Sequence, residues 1–385
     1  MKQSSSKAAT NGVASHYRNG HASLPELDAL ASILAEPSAS KVAMARWMQR
    51  HLSRQGVLLA DPWKTPEAAK MLSAFPDDGT LTKKLQRVSL AAAKLTASKV
   101  VQPINNKSAG FVDSQSRAAV LRRSWSPDSA RLAVDFRRPQ CNFGLFVGGE
   151  TIVDGSYATT LSKNGRELEM TRPWEVVCES ADGDMEYLEL ATPIAREAYL
   201  DRHLFIARKA PIVWMIDVIR GDERADWRWS VRWHGAKISG LRGEAAHRGQ
   251  RLLGMETQAA LLPVSSPPDP FSIGGMKVAL GDGALEFSQQ ETAKRLVAAV
   301  AWVWSPSGTL SLPPWRRLTI TQDGRLTPPE ECFAFRVQAG SRQCVFFRAL
   351  EHPRRHAFLG CQTFDETIIG EFDKKGDVKP WMRIE

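Results

Sequence analysis

The stretch from Tyr199 to His234 has the hydrophobic and polar pattern of consecutive β-strands. Residues 199–207 are rich in β-forming side chains, and after a short turn Ile212–Ile219 is an almost unbroken apolar run. An apolar run this short, bounded by Pro211 and Gly221, is typical of a strand that is covered on both faces. Together with the segment Trp227–His234, these two runs predict three consecutive strands.

The third predicted strand, Trp227–His234, alternates without interruption. Successive side chains of a strand point to opposite faces of the sheet. One face therefore carries Trp227, Trp229, Val231 and Trp233, and the other carries Arg228, Ser230, Arg232 and His234. This pattern predicts an aromatic core layer beneath a basic, polar surface.

The same short, alternating runs continue from about residue 117 to the C-terminus. Turn signals separate them at the spacing of about 8–12 residues that is typical of all-β folds, and fifteen or more strands exceed a simple sandwich. The predicted fold is mainly β, a large antiparallel β-supersandwich with a short N-terminal α-helical region. Its boundaries are a disordered terminus at 1–22, a helical region at 23–115 and the β-domain at 116–385.

The N-terminal third differs in pattern and in charge. Residues 1–22 are rich in Ser, Asn and Gly, which predicts disorder, and a capping box at Ser23–Glu26 opens the first of three or four helices. Residues 1–115 hold 15 Lys and Arg against 8 Asp and Glu, whereas the remaining 270 hold 36 against 34. The excess indicates an anionic partner or a solvated helical face. No recognised nucleic-acid-binding motif is present, so nucleic acid is a less favoured partner.

The cysteines and the hydropathy of the chain indicate which metal sites, membrane spans and cellular locations to expect. The five cysteines, at 141, 178, 332, 344 and 361, form no CxxC or Cys/His cluster, so we expect free thiols, no metal site and no cofactor. The N-terminus has no apolar signal-peptide core, and no apolar run approaches the roughly 18 residues of a membrane span. We therefore expect a cytoplasmic protein without a membrane partner.

Two motifs in the β-region resemble the sandwich module of the heparinase II/III-like polysaccharide lyases. The first, "D-G-x-Y", matches Asp154, Gly155 and Tyr157. The second is a hairpin with the order "R-x-L…P-x-x-W…D-x-I" before a strand that ends in His, matched by Arg202, Leu204, Trp214, Asp217, Ile219 and His234. The resemblance covers about residues 117–240. It implies the lyase sandwich fold and an acidic polysaccharide as the ligand.

The resemblance also implies a part that this chain lacks room for. Such lyases carry a helical toroid of about ten or more helices that supplies the substrate groove and most catalytic groups, yet only three or four helices fit into residues 23–105. The family's His-Asn-Thr stretch after the "D-G-x-Y" strand is absent as well. We therefore expect the sandwich without most of the toroid.

β-Elimination on a uronic acid needs a base, an acid and a group that neutralises the carboxylate. The candidate acid and base are Tyr157 and His234, with Arg228 or Arg232 as neutraliser. Trp315, which follows two prolines, is the candidate sugar-stacking platform, and Trp381 is the other tryptophan considered for exposure, although packing is the favoured role for each. For each residue a packing or surface role is the alternative, with Asp201 or Asp226 as an acid that could pair with the arginines.

Two further residues are expected to be structural. Asp217 lies in an apolar strand and, if buried, needs Arg202 or Arg220 as a partner. His203 is expected to be a partly buried histidine whose hydrogen bonds are satisfied. The functional hypotheses are thus a heparinase II/III-like protein that binds or cleaves acidic polysaccharide, and a non-catalytic scaffold whose N-terminal helices dock a partner protein.

Overall fold

The architecture described here is that of a computed structural model. It describes residues 110–114, 117–124, 126, 129–195, 197–235, 242–246, 249–253, 258–267, 275–281, 283–305, 310–351 and 354–384. The predicted disordered terminus and nearly all of the predicted helical region lie outside these residues. All of these residues except Ser126 belong to one compact unit.

Every strand pairing in the described residues is antiparallel, and the largest sheet has fifteen strands. In chain order these are β1 (Phe111–Asp113), β2 (Ala118–Arg122), β3 (Arg131–Asp135), β4 (Cys141–Val147), β5 (Glu150–Lys163), β6 (Arg166–Leu168), β7 (Glu175–Ala181), β8 (Met185–Ile194), β9 (Ala198–Ala207), β10 (Ile212–His234), β11 (Arg242–Ala246), β12 (Gly249–Leu253), β13 (Gln258–Leu262), β14 (Lys277–Gly281) and β15 (Ala284–Ser305). Its main path runs β1-β2-β3-β4-β5-β10-β15-β13-β12-β11.

Two smaller sheets are built from the C-terminal strands. The remaining elements are β16 (Trp315–Arg317), β17 (Thr321–Gln322), β18 (Arg325–Leu326), β19 (Cys332–Ala339), β20 (Arg342–Ala349), β21 (His356–Phe358), β22 (Cys361–Thr363), β23 (Thr367–Phe372) and β24 (Val378–Ile384). A five-stranded sheet has the order β16-β19-β20-β23-β24, and a four-stranded sheet has the order β18-β17-β21-β22. The prediction of a mainly β, antiparallel fold is confirmed. The first strand, β1, begins a few residues ahead of the predicted boundary at 116.

Three apolar cores separate these layers. The first is enclosed by strands of the large sheet, with Trp227 and Trp233 among its members. The second lies between the opposite face of that sheet and the five-stranded sheet, where Trp214 packs edge-on against Phe335 at 5.2 Å. The third lies between the two smaller sheets around Phe347. The described residues thus form a layered sandwich, since each sheet buries an apolar face against the next layer.

Strand β10 corrects one prediction. The second and third predicted strands are a single 23-residue strand, with an irregularity in pairing between Arg220 and Ala225. Along one edge β10 pairs first with β9 and then with β5, while β15 follows the other edge on both sides of the irregularity. The polar segment around Gly221 does not reverse the chain, because its partner β15 is itself 22 residues long and continues past it.

Candidate functional site

The second half of β10 presents the face that its alternation predicts. Trp227, Trp229 and Trp233 are fully buried, whereas Arg228 and Arg232 are exposed. His234 is also exposed on that polar side. The predicted register is therefore correct, and the outward face (defined here as the solvent side of β10 from Arg228 to His234 with its neighbours on β4, β5, β14 and β15) is the candidate functional site.

Each arginine of the outward face has an acidic neighbour. Arg232 Nε lies 3.0 Å from Glu286 Oε1, and Arg228 Nε lies 4.0 Å from Asp226 Oδ2. Gln290 donates a hydrogen bond to Asp226 at 3.0 Å. The side chains of Arg228 and Arg232 are 61% and 48% exposed, and ion pairs of such exposure contribute only about 0–1 kcal/mol. Both guanidinium groups can therefore exchange these partners for a ligand at little cost.

Tyr157 lies on the other side of the sheet from His234. Its ring is buried at 2% exposure and packs against Phe143 at 5.0 Å and Trp233 at 5.3 Å. Burial, reinforced by the charge of Asp217, raises the pKa of Tyr157 well above its usual value. His234 pairs across the ladder with Ser156, so Tyr157 and His234 alternate to opposite faces. The structure does not bring the predicted acid and base together.

The buried face is organised by an ion pair instead. Arg202 Nε and Nη2 donate to the two carboxylate oxygens of Asp217 at 2.7 and 2.8 Å, and Trp229 Nε1 donates to the same carboxylate at 2.9 Å. The guanidinium also lies 4.8 Å from the centre of the Tyr157 ring. Asp217 is thus paired with Arg202, one of the two predicted partners. Arg220 forms its own pair with Asp201, with Nη2 at 2.9 Å from Oδ1.

Neither tryptophan that was considered for exposure is a surface platform. Trp315 and Trp381 are each 7% exposed and belong to the core between the large sheet and the five-stranded sheet. Trp381 lies parallel to Phe205 with ring centres 6.0 Å apart. Both residues therefore have the packing role that the sequence favoured for each, because the five-stranded sheet places β16 and β24 against the large sheet. The large aromatic side chains exposed among the described residues are Tyr199 and Phe364.

His203 lies in a polar network between these two sheets. The Tyr187 hydroxyl is 2.8 Å from both Glu189 Oε2 and His203 Nδ1, and Arg348 Nη2 donates to Glu189 at 3.0 Å. Burial, with the charges of Arg348 and Arg220, lowers the pKa of His203 well below its usual value. The imidazole is fully rather than partly buried. Its Nε2 has no hydrogen-bond partner within the described residues, so the prediction of a satisfied histidine holds for Nδ1 only.

A polar cluster beside His234 was not predicted as a site. Asn142, Asp154 and Ser156 lie on the outward face, at positions set by the pairing of β4 with β5 and of β5 with β10. Asp154 was recognised only as part of the "D-G-x-Y" motif. The available signal was that motif's period-two spacing, which puts Asp154 and Ser156 on the face opposite Tyr157.

Two other kinds of site are absent from the described residues. In the part of the chain that the structure describes, no group of three or more His, Cys, Asp and Glu side chains could hold a metal ion. Among the described residues, no helix has the length and apolar character that are needed to cross a bilayer. The five cysteines are free thiols, three of them buried.

Comparisons with known proteins identify the fold. No family model matches the chain, and no curated protein matches it by sequence. Among solved structures, a heparinase III matches with a TM-score of 0.51 at 12% identity, over 73% of this chain and 48% of that one. A mutant heparan sulfate lyase from Pedobacter heparinus matches with a TM-score of 0.49 at 10% identity, over 77% and 48%.

The match at a TM-score of 0.51 supports a distant heparinase-like fold. The chain spans about half the length of these solved structures, and the low identity restricts the likeness to the fold. A polysaccharide-lyase-like architecture is therefore shared, whereas ligand and activity have to be argued from the residues themselves.

Proposed function

We propose that this protein binds acidic polysaccharide on the outward face of β10. The observation that carries the proposal is the pair Arg228 and Arg232, two exposed guanidinium groups on one side of a rigid strand. Four residues of antiparallel strand separate them by roughly 13 Å, which is longer than one sugar ring. Such a pair suits a chain of several sugars better than a monosaccharide. The heparinase-like fold supports the same class of ligand.

The guanidinium group suits this role chemically. Its planar fork donates two parallel hydrogen bonds to a carboxylate or sulfate, and charge assistance makes these bonds stronger than neutral ones. Lys277 on β14 adds a third cation to the face, and Asp226 and Glu286 are the acids that pair with the two arginines. Because the acids nearly balance the cations, we expect modest affinity that falls with added salt.

Binding without cleavage is the form of the proposal that the geometry supports. β-Elimination needs an acid and a base that both reach the sugar. His234 is on the outward face, but Tyr157 is enclosed in the core behind the strand. The scaffold hypothesis stays a prediction, since the helices it invokes lie outside the described residues.

The test is affinity for heparin, alginate and polygalacturonate at low salt, measured by calorimetry on the full chain. The double variant Arg228→Ala/Arg232→Ala is expected to lose at least tenfold in affinity. Arg325→Ala/Arg355→Ala, which removes two exposed arginines near the four-stranded sheet, is the matched control and should bind like wild type. Equal affinity of wild type and the first variant would refute the proposal.

Two further measurements sharpen the result. Glu286→Gln removes the carboxylate that competes for Arg232, so polyanion affinity should rise in this variant. Ultraviolet absorbance of an unsaturated uronate product reports cleavage. Its appearance with wild-type protein would overturn the restriction to binding.

A further inference from the structure

Three hydrogen-bonded strands place a row of polar side chains next to Arg232. Asn142 on β4 pairs with Ser156 on β5, and Ser156 pairs with His234 on β10. Side chains directly opposite in an antiparallel ladder have Cβ atoms about 4.5–5.5 Å apart. The row Asn142–Ser156–His234 therefore crosses the strands as a continuous line, one outward position beyond Arg232.

Asp154 extends this row into a cluster. It stands two residues before Ser156 on the same side of β5, opposite Gly144. A Cβ placed on Gly144 would lie 3.4 Å from Asp154 Oδ1, so the carboxylate lies over that glycine on the outward side of the sheet. Partial burial raises the pKa of Asp154.

Toward the residues that the structure describes, the side chains of the cluster leave their hydrogen-bonding capacity unused. None of the side chains of Asn142, Asp154, Ser156 and His234 bonds to another residue in the described ranges. Arg228 and Arg232, in contrast, each have an acidic neighbour. Polar groups left without a partner on a rigid surface are available to water or to a ligand.

Two glycines hold the cluster in position. A Cβ on Gly155 would collide with the carbonyl oxygen of His234, and a Cβ on Gly235 would collide with that of Asp154. Gly155 also has φ of 136°, a conformation that other residues avoid. The backbones of β5 and β10 thus approach each other more closely here than side chains permit. Sites built on such strands keep a more precise geometry than sites on loops.

The chemistry of the cluster differs from that of the arginine pair. An amide, a hydroxyl, an imidazole and a carboxylate all exchange hydrogen bonds with sugar hydroxyl or amide groups. The negative charge of Asp154 repels a carboxylate or a sulfate, whereas Arg232 attracts one. We infer that Asn142, Asp154, Ser156 and His234 form a subsite for an uncharged sugar, adjacent to an anionic subsite at Arg232.

This inference rests on the proposed function and narrows its ligand class. A polymer in which every sugar carries a carboxylate would place a charge against Asp154. A polymer that alternates acidic and uncharged sugars would satisfy both subsites in one register. The outward face is thus expected to prefer an alternating acidic polysaccharide over a uniform polyuronate.

The experiment compares hyaluronan, which alternates uronate with an uncharged N-acetylated sugar, with polygalacturonate, in which each sugar is a uronate. Removing two neutral hydrogen-bonding groups with Asn142→Ala/Ser156→Ala is expected to weaken hyaluronan binding about tenfold. Affinity for polygalacturonate should change less than twofold. Asp154→Asn should raise affinity for polygalacturonate. Ser341→Ala/Gln343→Ala, two exposed positions at β20, is the control, and His234→Ala is a second variant if the first fails to fold.

The outcomes separate this inference from the function on which it rests. Asn142→Ala/Ser156→Ala could weaken the binding of both polymers equally, or of neither, while Arg228→Ala/Arg232→Ala abolishes the binding of both. In that case the proposed function stands and the uncharged subsite is refuted. If wild type binds neither polymer, the proposed function fails and the inference fails with it. Selective loss of hyaluronan binding supports both.

Discussion

The two halves of β10 are parts of one strand with the same partner, β15, yet they have opposite characters. From Ile212 to Ile219 every residue is buried, because the large sheet faces its own apolar core on one side and the five-stranded sheet on the other. From Trp227 to His234 only alternate residues are buried. The difference shows that coverage by a further layer, rather than strand pairing, decides which side chains remain available for function.

Charged groups follow the same division. Asp217 in the first half is enclosed with Arg202, which donates hydrogen bonds to both of its carboxylate oxygens. Arg228 and Arg232 in the second half keep large exposed fractions. A buried pair is expensive to break, whereas an exposed pair is cheap to exchange. Mutations in the two halves should therefore differ in what they change.

The largest effect is expected from Asp217→Ala. It leaves the Arg202 guanidinium buried without its partner, which costs about 3–5 kcal/mol of unfolding free energy. Chemical denaturation monitored by tryptophan fluorescence measures this loss. The double variant Arg202→Met/Asp217→Leu removes both charges and should recover part of it. A loss below about 1 kcal/mol for Asp217→Ala would show that the pair does not organise the first half.

Gly155→Ala should have the next largest effect. The added methyl group meets the His234 carbonyl, and the backbone conformation is one that only glycine adopts freely, so we expect a cost of about 1–3 kcal/mol. Gly165→Ala is the control, since that glycine also has positive φ but has open space around it. Thermal unfolding compares the two. Equal losses of stability in the two variants would mean that the close approach of β5 and β10 adds nothing to the cost of Gly155→Ala.

An acid-dependent effect is expected at His203. The pKa of His203 is lowered in the folded protein. Above about pH 6.5 the imidazole is therefore neutral in both the folded and the unfolded protein, and it does not make the stability depend on pH. As the pH falls below that value, the unfolded chain binds a proton that the folded protein excludes. Stability therefore decreases, with a limiting slope of about 1.4 kcal/mol per pH unit for one group.

Denaturation between pH 7 and 5 tests this expectation by comparing wild type with His203→Gln. The variant should show the shallower slope. His356, whose pKa burial also lowers, contributes in the same direction in both proteins and cancels in the comparison. His234→Gln serves as the control, because its side chain is exposed to solvent when the protein is folded. Identical slopes for wild type and His203→Gln would contradict the prediction.

The smallest effect on stability is expected from Arg228→Ala/Arg232→Ala. These side chains lie in solvent and their ion pairs are weak, so unfolding free energy should change by about 1 kcal/mol or less. The same denaturation assay measures it beside Asp217→Ala. A loss comparable to that of Asp217→Ala would mean that both halves of β10 are structural, and that loss of glycan binding in the double variant reports unfolding.

Alternation along Trp227–His234 was sufficient to assign the faces of the second half of β10. Because the period is two, a slip by one residue would bury two arginines in place of tryptophans, and one register is strongly preferred. The mainly β, antiparallel architecture follows from the same kind of pattern, repeated between turn signals. These properties depend on neighbours along the chain, which a sequence displays directly.

Partnerships across strands depended on the tertiary structure. Arg202 and Arg220 were equally plausible partners for Asp217, and only the register that sets Asp217 opposite Arg202 decided between them. The burial of Trp315 needed the five-stranded sheet as a cover. The row Asn142–Ser156–His234 joins residues up to 92 positions apart through two sheet registers. No local pattern specifies such a register, because it results from the packing of whole layers; the sequence determined the faces, and the fold determined their neighbours.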